Sequence, residues 1–299
     1  NNVHCIVNIA GFGYALDSQL LYNTAKGNGS DFFIPDHSML ATTFINGIAN
    51  CRRVIALDVT AQVYMPDQPA PSETKISHVL SGQHRTEVLA NTTSGVPPQR
   101  VAVSYYNISR GRVETFVHEN VVMTLDPSSM LNSFNHLLRI EFANVVLQTA
   151  EMSRDMRING FIQKYSQHLD NPFVSDIMRD ATGQVAQAIS RADWFKRWGK
   201  HYCLALAMAH FNQECTNFKD IGLQNYSSEL FDTIKAGLDT IFETLPPQQG
   251  SLAPIVVTTA TGVRRPVSPP RMTTFNNPSG GCFGGSGVVE TLIGQKTVR

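Results

Sequence analysis

The chain has 299 residues, 42% of them hydrophobic, and its 24 Lys and Arg balance 24 Asp and Glu for a formal net charge of zero. That length suits about two ordinary domains. With no basic run longer than Arg52-Arg53 or Arg264-Arg265, the chain lacks the clustered positive field of a nucleic-acid surface, so no nucleic-acid partner is expected. No apolar run approaches the roughly 18 residues of a membrane span. No charged segment leads into an apolar one at the start, where strand-like Val3-His4-Cys5-Ile6-Val7 begins at once. The chain is therefore expected to enter a fold partway through. Five cysteines, odd in number and widely spaced, make no disulfide framework, and a reducing, cytoplasmic setting is the expectation.

Residues 1–50 read as alternating α/β. Ile6 to Ile9 is a short apolar strand, followed by a turn at Gly11-Phe12-Gly13. Asp17 or Ser18 caps a helix containing Leu20, Leu21 and Ala25, and Gly27-Asn28-Gly29 ends it. Asp31 to Ile34 is a second strand. Pro35-Asp36-His37-Ser38 starts a helix with Leu40, Phe44, Ile45 and Ile48 at helical spacing. Residues 51–125 switch to period two: Ile55, Leu57, Val59, Ala61 and Val63 alternate with more polar neighbours. Further strands are expected at Val101–Tyr106 and Val113–Leu125, with a turn over Asn107–Gly111, and together these predict a small antiparallel β-sandwich.

Residues 126–246 read as helical. Asp126-Pro127 and Asn171-Pro172 each place an N-cap before a proline at the first helical position. A third helix carries His201 to Cys215, and a fourth has Leu230, Ile234, Leu238, Ile241 and Leu245 at three- and four-residue spacing before Pro246-Pro247 stops it. Residues 247–281, rich in Pro, Ser, Thr and Gly, read as a disordered linker. The fold class is thus α+β and multi-part: a partial α/β domain, a small antiparallel sandwich, a helical unit and a linker.

Several arrangements resemble sites but fail on spacing. His201, Cys203, His210 and Cys215 invite a zinc reading, but only Cys203 and His210 share a helix face, and no close cysteine pair occurs. No Gly-x-Ser-x-Gly elbow or phosphate loop is present, and Gly11-Phe12-Gly13 lacks the third glycine of a dinucleotide fingerprint, so no cofactor is expected. Trp194 and Trp198 fit a packed helix face. Ser81-Gly82-Gln83-His84-Arg85 reads as a structural turn.

Gly11-Phe12-Gly13-Tyr14-Ala15-Leu16-Asp17-Ser18, then Gly27-Asn28-Gly29 and Phe32-Phe33-Ile34-Pro35-Asp36, resembles the last third of a von Willebrand factor A (VWA) domain. Trp198-Gly199-Lys200-His201-Tyr202, with Ala209-His210 and Cys215 to Asp220, is similar to the helical block of a eukaryotic family that joins VWA and Hedgehog/intein-like (Hint) modules. Phe242-Glu243-Thr244-Leu245-Pro246-Pro247 resembles the end of that block. The family's VWA domain implies a metal-ion site, but the segments that would carry it do not occur here, and no metal site is assigned to Asp17, Ser18, Asp31 or Asp36.

Gly280-Gly281-Cys282-Phe283-Gly284-Gly285-Ser286-Gly287-Val288-Val289 resembles the opening of a Hint module, so residues 282–299 are taken as its truncated start. The resemblance makes Cys282 the nucleophile and Gly281 the residue whose carbonyl it attacks. A glycine there leaves the carbonyl unhindered and tolerates a strained backbone. The resemblance also implies a downstream Thr-x-x-His that protonates the leaving amide, and none occurs between Cys282 and Arg299. Self-cleavage is therefore expected only of a longer chain, and turnover catalysis of neither. The implied role is a scaffold that binds protein partners, with an unidentified nucleophile as thioester acceptor. The competing expectation is a structural binding protein without an active Hint module. A hydrolase built on the helical histidines is a weaker third reading, since no nucleophile and acid have recognisable spacing.

Overall fold

The computed structural model describes residues 4–88, 96–121, 126–152 and 157–245, with His37 by its backbone alone. It also describes the backbone of four short strands: β7 (Val256–Thr258), β8 (Arg264–Pro266), β9 (Val288–Thr291) and β10 (Gly294–Thr297). The architecture is α+β.

Strand β1 (Ile9–Phe12) pairs in parallel with β2 (Asp31–Ile34), and helix α1 (Ser18–Ala25) makes the crossover that a parallel pair requires. The Asp17 carboxylate caps α1, accepting the Leu20 N–H at 3.0 Å. β1 lies later than the expected Ile6–Ile9, because pairing runs on past Ile9 to the Gly13 N–H, which donates to Ile34 O at 2.8 Å. Gly11 therefore sits in the strand instead of a turn. A Cβ there would fall 2.8 Å from Leu21 Cδ1 and 2.9 Å from Leu16 Cδ1, so its bare Cα seats both leucines. A 3-10 turn (His37–Met39) then leads into α2 (Leu40–Cys51), which buries Ile45 and Ala49 but leaves Leu40, Phe44 and Ile48 exposed.

The β region is one sheet of order β4-β3-β5-β6, antiparallel throughout, formed by β3 (Val54–Tyr64), β4 (Ser72–Leu80), β5 (Arg100–Asn107) and β6 (Arg112–Glu119). No second sheet faces it among the described residues, so the expected sandwich is replaced by a single layer that joins the helices through side-chain bonds. Alternation holds over Val59, Ala61 and Val63, all buried, but not earlier in β3: Ile55 is 45% exposed while Ala56 and Leu57 are both buried. The physical reason is Asp58 at φ 51°, beside a register shift between Leu57 and Thr60 that exchanges the two faces.

The helical unit opens with α3 (Pro127–Glu151), where the Asp126 side chain accepts the Ser128 and Ser129 N–H groups, each at 3.0 Å. α4 (Arg157–Tyr165) follows, then α5 (Pro172–Asp180), capped by Asn171 Oδ1 on the Phe173 N–H at 3.0 Å. A π turn (Ala181–Val185) carries α5 into α6 (Ala186–Ser190). After α7 (Ala192–Trp194), a second π turn (Phe195–Gly199) leads into α8 (Lys200–Asn212). The one-turn α9 (Ile221–Gln224) and the long α10 (Glu229–Thr244) complete it, the latter capped by Ser228.

α8 is the central element, buried on nearly every side, which explains why its sequence is apolar all round. Its Leu204 and Met208 share one hydrophobic cluster with Leu138 and Phe142 of α3 and with Tyr22 and Ile34 of the α/β segment. Trp198 is buried in that cluster and Trp194 packs on its rim. Gly199 lies so close to α6 that a Cβ would be 2.4 Å from Ala188 O.

Candidate functional site

Gly281 and Cys282, the pair assigned to self-cleavage, lie outside the described residues, as does most of the stretch read as a linker. Within that stretch β7 pairs with β8, and beyond Cys282 β9 pairs with β10, both antiparallel.

The structure separates the four residues that resembled a zinc set. Cys203 is enclosed in the core, and burial pushes its thiol up to about 12. Burial likewise pushes Cys215 up to about 12, and its Sγ lies 3.4 Å from Gln224 Oε1. His201 Nε2 meets Tyr14 O at 3.2 Å, while His210 Nδ1 meets the Tyr226 hydroxyl at 2.7 Å. Burial, reinforced by the nearby Arg139 guanidinium, lowers His210 to about 3. Among the described residues no three His, Cys, Asp or Glu side chains gather as metal ligands would. Both thiols are neutral at physiological pH, and a thiol, unlike a thiolate, is a poor nucleophile.

The densest polar grouping is one that local sequence reading does not reveal. The chain leaves α8 at Gln213, whose backbone is left-handed at φ 54°, and the next side chain, Glu214, turns inward. Its carboxylate accepts from Ser30 Oγ at 2.6 Å and pairs with His78 Nε2 at 2.5 Å, while Ser77 Oγ lies 2.7 Å from His78 Nδ1. Burial alone raises a carboxyl pKa; the charge and hydrogen bond of His78, together with the Ser30 hydroxyl, outweigh it and hold Glu214 below its ordinary value. Around this pair, Asn212 Nδ2 donates to Gly29 O at 2.8 Å, and Gln83 Nε2 donates to Gln213 O at 2.8 Å. Residues 212–214 thus tie the α/β segment, the sheet and the helices together. The Ser81–Arg85 turn, read as structural, grips this point through Gln83 and Arg85. A serine, histidine and glutamate in series resemble a catalytic relay, but Ser77 and His78 are adjacent in the chain and the His78–Glu214 side chains are only 1% and 2% exposed. A substrate has no approach to them.

A second buried set lies within the helices. Asp180, at the end of α5, accepts the Ile221 N–H at 2.8 Å and the Gly222 N–H at 2.7 Å. Asp220 accepts from the Tyr202 hydroxyl at 2.8 Å and Asn217 Nδ2 at 2.7 Å. Burial and the facing Asp220 charge push Asp180 up to about 8. Arg139, 1% exposed, spans α3 to α8 through His210 O at 2.7 Å and reaches Thr86 O at 2.9 Å. These groups position backbone, and each charged atom named is engaged by another part of the protein.

Residues 171–240 match the sequence model of the family described as VWA / Hh protein intein-like. The matched stretch runs from the Asn171 cap of α5 into α10 and contains Asp180, Tyr202, His210, Glu214 and Asp220. This part of the chain is therefore similar to a Hedgehog/intein-associated region. No curated protein and no solved structure matches the chain.

Proposed function

We propose that this chain is the non-catalytic interaction and scaffold region of a VWA–Hint autoprocessing precursor. The match over residues 171–240 carries this reading, because it falls on the central helix and on the residues that hold the other parts to it. In this reading 1–50 is the C-terminal part of a VWA domain, 51–125 and 126–246 are the β and helical parts of the associated region, and 247–281 links them to a Hint module opening at Cys282. Exposed apolar side chains suit protein partners: Val113 and Val117 on one face of the edge strand β6 with Phe116 on the other, and Leu40, Phe44 and Ile48 along α2. No described helix is long and apolar enough to cross a membrane.

The cleavage step is an N–S acyl shift. Cys282 Sγ attacks the Gly281 carbonyl carbon, the C–N bond breaks, the nitrogen gains a proton, and a thioester forms. Water, a thiol or an amine then adds to that carbonyl and releases the Cys282 thiol. The test is intact-mass analysis of the protein expressed from its complete gene beside Cys282→Ala. A fragment ending at Gly281, carrying a dithiothreitol adduct when that thiol is added and missing from the variant, is the expected result. An uncut chain under both conditions sinks self-processing and favours the alternative, a structural binding protein with no active Hint module.

A further inference from the structure

The four-stranded sheet ends in two unlike edges. β4 is buried at Ile76, Ser77, His78 and Leu80, whereas every residue of β6 is exposed except half-buried Glu114. Among the described residues β6 hydrogen-bonds only to β5. The devices that usually protect such an edge are missing: Arg112–Glu119 contains no proline or lysine, and its pairing with β5 runs without a bulge. Which backbone groups are left over follows from the ladder. The Asn120 N–H donates to Gln99 O at 3.0 Å, and on the far side of β5 the Ile108 N–H donates to Ile55 O at 3.2 Å. Alternation from either bond gives the same answer. Arg112, Glu114, Phe116 and His118 direct their N–H and C=O groups at β5, and Val113, Thr115, Val117 and Glu119 direct theirs outward.

These outward groups fit a second copy of the same strand. Phe116 lies opposite Val103, and Val103 opposite Ala61, so Phe116 shares the face of the sheet's own apolar cluster with Val59 and Ile76. It stands 62% exposed at the rim of that face. A two-fold axis perpendicular to the sheet keeps the apolar faces of two copies on one side and pairs their edge strands antiparallel. With the axis at Phe116, Thr115 faces the partner's Val117 and Val113 faces the partner's Glu119, so all the outward residues exchange backbone bonds. The two Phe116 rings meet across the seam as a close, non-hydrogen-bonded pair, with Cα atoms about 4.5 Å apart. Glu114 then faces the partner's His118, and no like charges oppose each other. An axis at Glu114 sets two carboxylates together, and one at Thr115 sets Arg112 against His118 and Glu114 against the apolar Phe116 ring. Pairing β6 with β4 instead would add copies without closing, and the buried half of β4 obstructs it.

We propose that β6 pairs antiparallel with β6 of a second copy of this chain, Phe116 on the two-fold axis, joining two sheets into one. The proposal names a partner for the β6 surface and rests on the scaffold reading, but not on cleavage: the readout here is association state, and there it is a fragment mass. A seam of this kind buries less than the roughly 1,200 Å² of a stable interface, so the dimer is weak and concentration-dependent. The test is sedimentation equilibrium of the full chain from about 1 to about 200 µM, which spans weak association. Wild type is expected to pass from monomer to dimer over that range. Thr115→Pro removes an outward donor on each side of the axis and no bond to β5, a place where an edge strand tolerates proline. It is expected to weaken the dimer about tenfold or more. Phe116→Cys, whose Cα spacing across the seam suits a disulfide, is expected under mild oxidation to form covalent dimer beyond the wild-type level. Val113→Cys, which faces the partner's Glu119, is not, and this pair of variants decides the matter even where Thr115→Pro fails to fold. A monomer at every concentration, which leaves the edge to a strand of another protein, overturns the proposal. So does a dimer indifferent to Thr115→Pro, or cross-linking by Phe116→Cys no greater than by Val113→Cys.

Discussion

Replacing Glu214 by alanine tests whether the end of α8 holds the three parts of the chain together. If the His78–Glu214 pair were a surface contact, its loss would cost about 0–1 kcal/mol. With the two side chains 1% and 2% exposed, the other regime applies, in which removing one partner strands the other and costs about 3–5 kcal/mol. Ser30→Ala removes a single donor to a carboxylate, with an expected loss of about 1–3 kcal/mol. Combining Glu214→Ala with His78→Leu should cost less than the sum of the two, by about 1–3 kcal/mol, because neither charge is then left unpaired. Urea unfolding followed by Trp194 and Trp198 fluorescence reads these changes at constant m. The pH dependence has a definite sign. Glu214 is held below its ordinary pKa in the folded state, so its contribution is present above the unfolded carboxyl pKa and is lost as pH falls through the folded one. A loss under 1 kcal/mol for Glu214→Ala, or additive effects with His78→Leu, would refute the argument.

Asp31 and Asp180 predict the opposite pH trend. Their folded pKa values, about 7 and about 8, lie above the ordinary 3.8, so the folded state keeps protons that the unfolded chain has released. The stability they contribute is complete below about pH 4 and falls as pH rises toward about 8, by up to roughly 4 kcal/mol for Asp31. Asp31→Asn should flatten that slope in denaturation curves taken across this range. Thiol labelling with mass mapping should modify exposed Cys5 and Cys51 in the folded protein and reach Cys203 and Cys215 only on unfolding. Gly199→Ala should destabilise by about 1–3 kcal/mol through overpacking against Ala188 O. Gly160→Ala, in α4 with open space around it, should stabilise by about 0.5–1 kcal/mol in the same unfolding assay.

What could be read from the sequence was local. Asp17, Asp126 and Asn171 marked helix starts because a cap depends on neighbours two or three residues away, and the structure places each of them on those N–H groups. Strand β4 left no signal: its buried Ile76, Ser77 and His78 follow one another without alternation, because the last two serve polar bonds. The bulge at Asp58 was hidden for a related reason, since an alternating pattern cannot show that a single left-handed residue has exchanged the faces. The bonds of Glu214 to Ser30 and His78 span 184 and 136 positions, beyond any motif. Their only trace in the sequence is a glutamate directly after an apolar helix. Gly281 and Cys282, by contrast, were proposed from a contiguous motif.

Cleavage after Gly281 would have a definite consequence for the upstream body. The described members of all three hydrophobic clusters lie between Ile9 and Leu238, and the bonds converging on residues 212–214 come from Gly29 to Thr86. None of these contacts crosses the proposed cut. The product ending at Gly281 should therefore unfold at the same urea midpoint as uncleaved Cys282→Ala, within about 0.5 kcal/mol, the tolerance typical of independent sites. Trp194 and Trp198 fluorescence measures both species under one protocol. A product less stable by more than about 1 kcal/mol, a large share of a marginal fold's total, would mean that sequence beyond Gly281 packs on this body, and that processing remodels the scaffold in addition to releasing it.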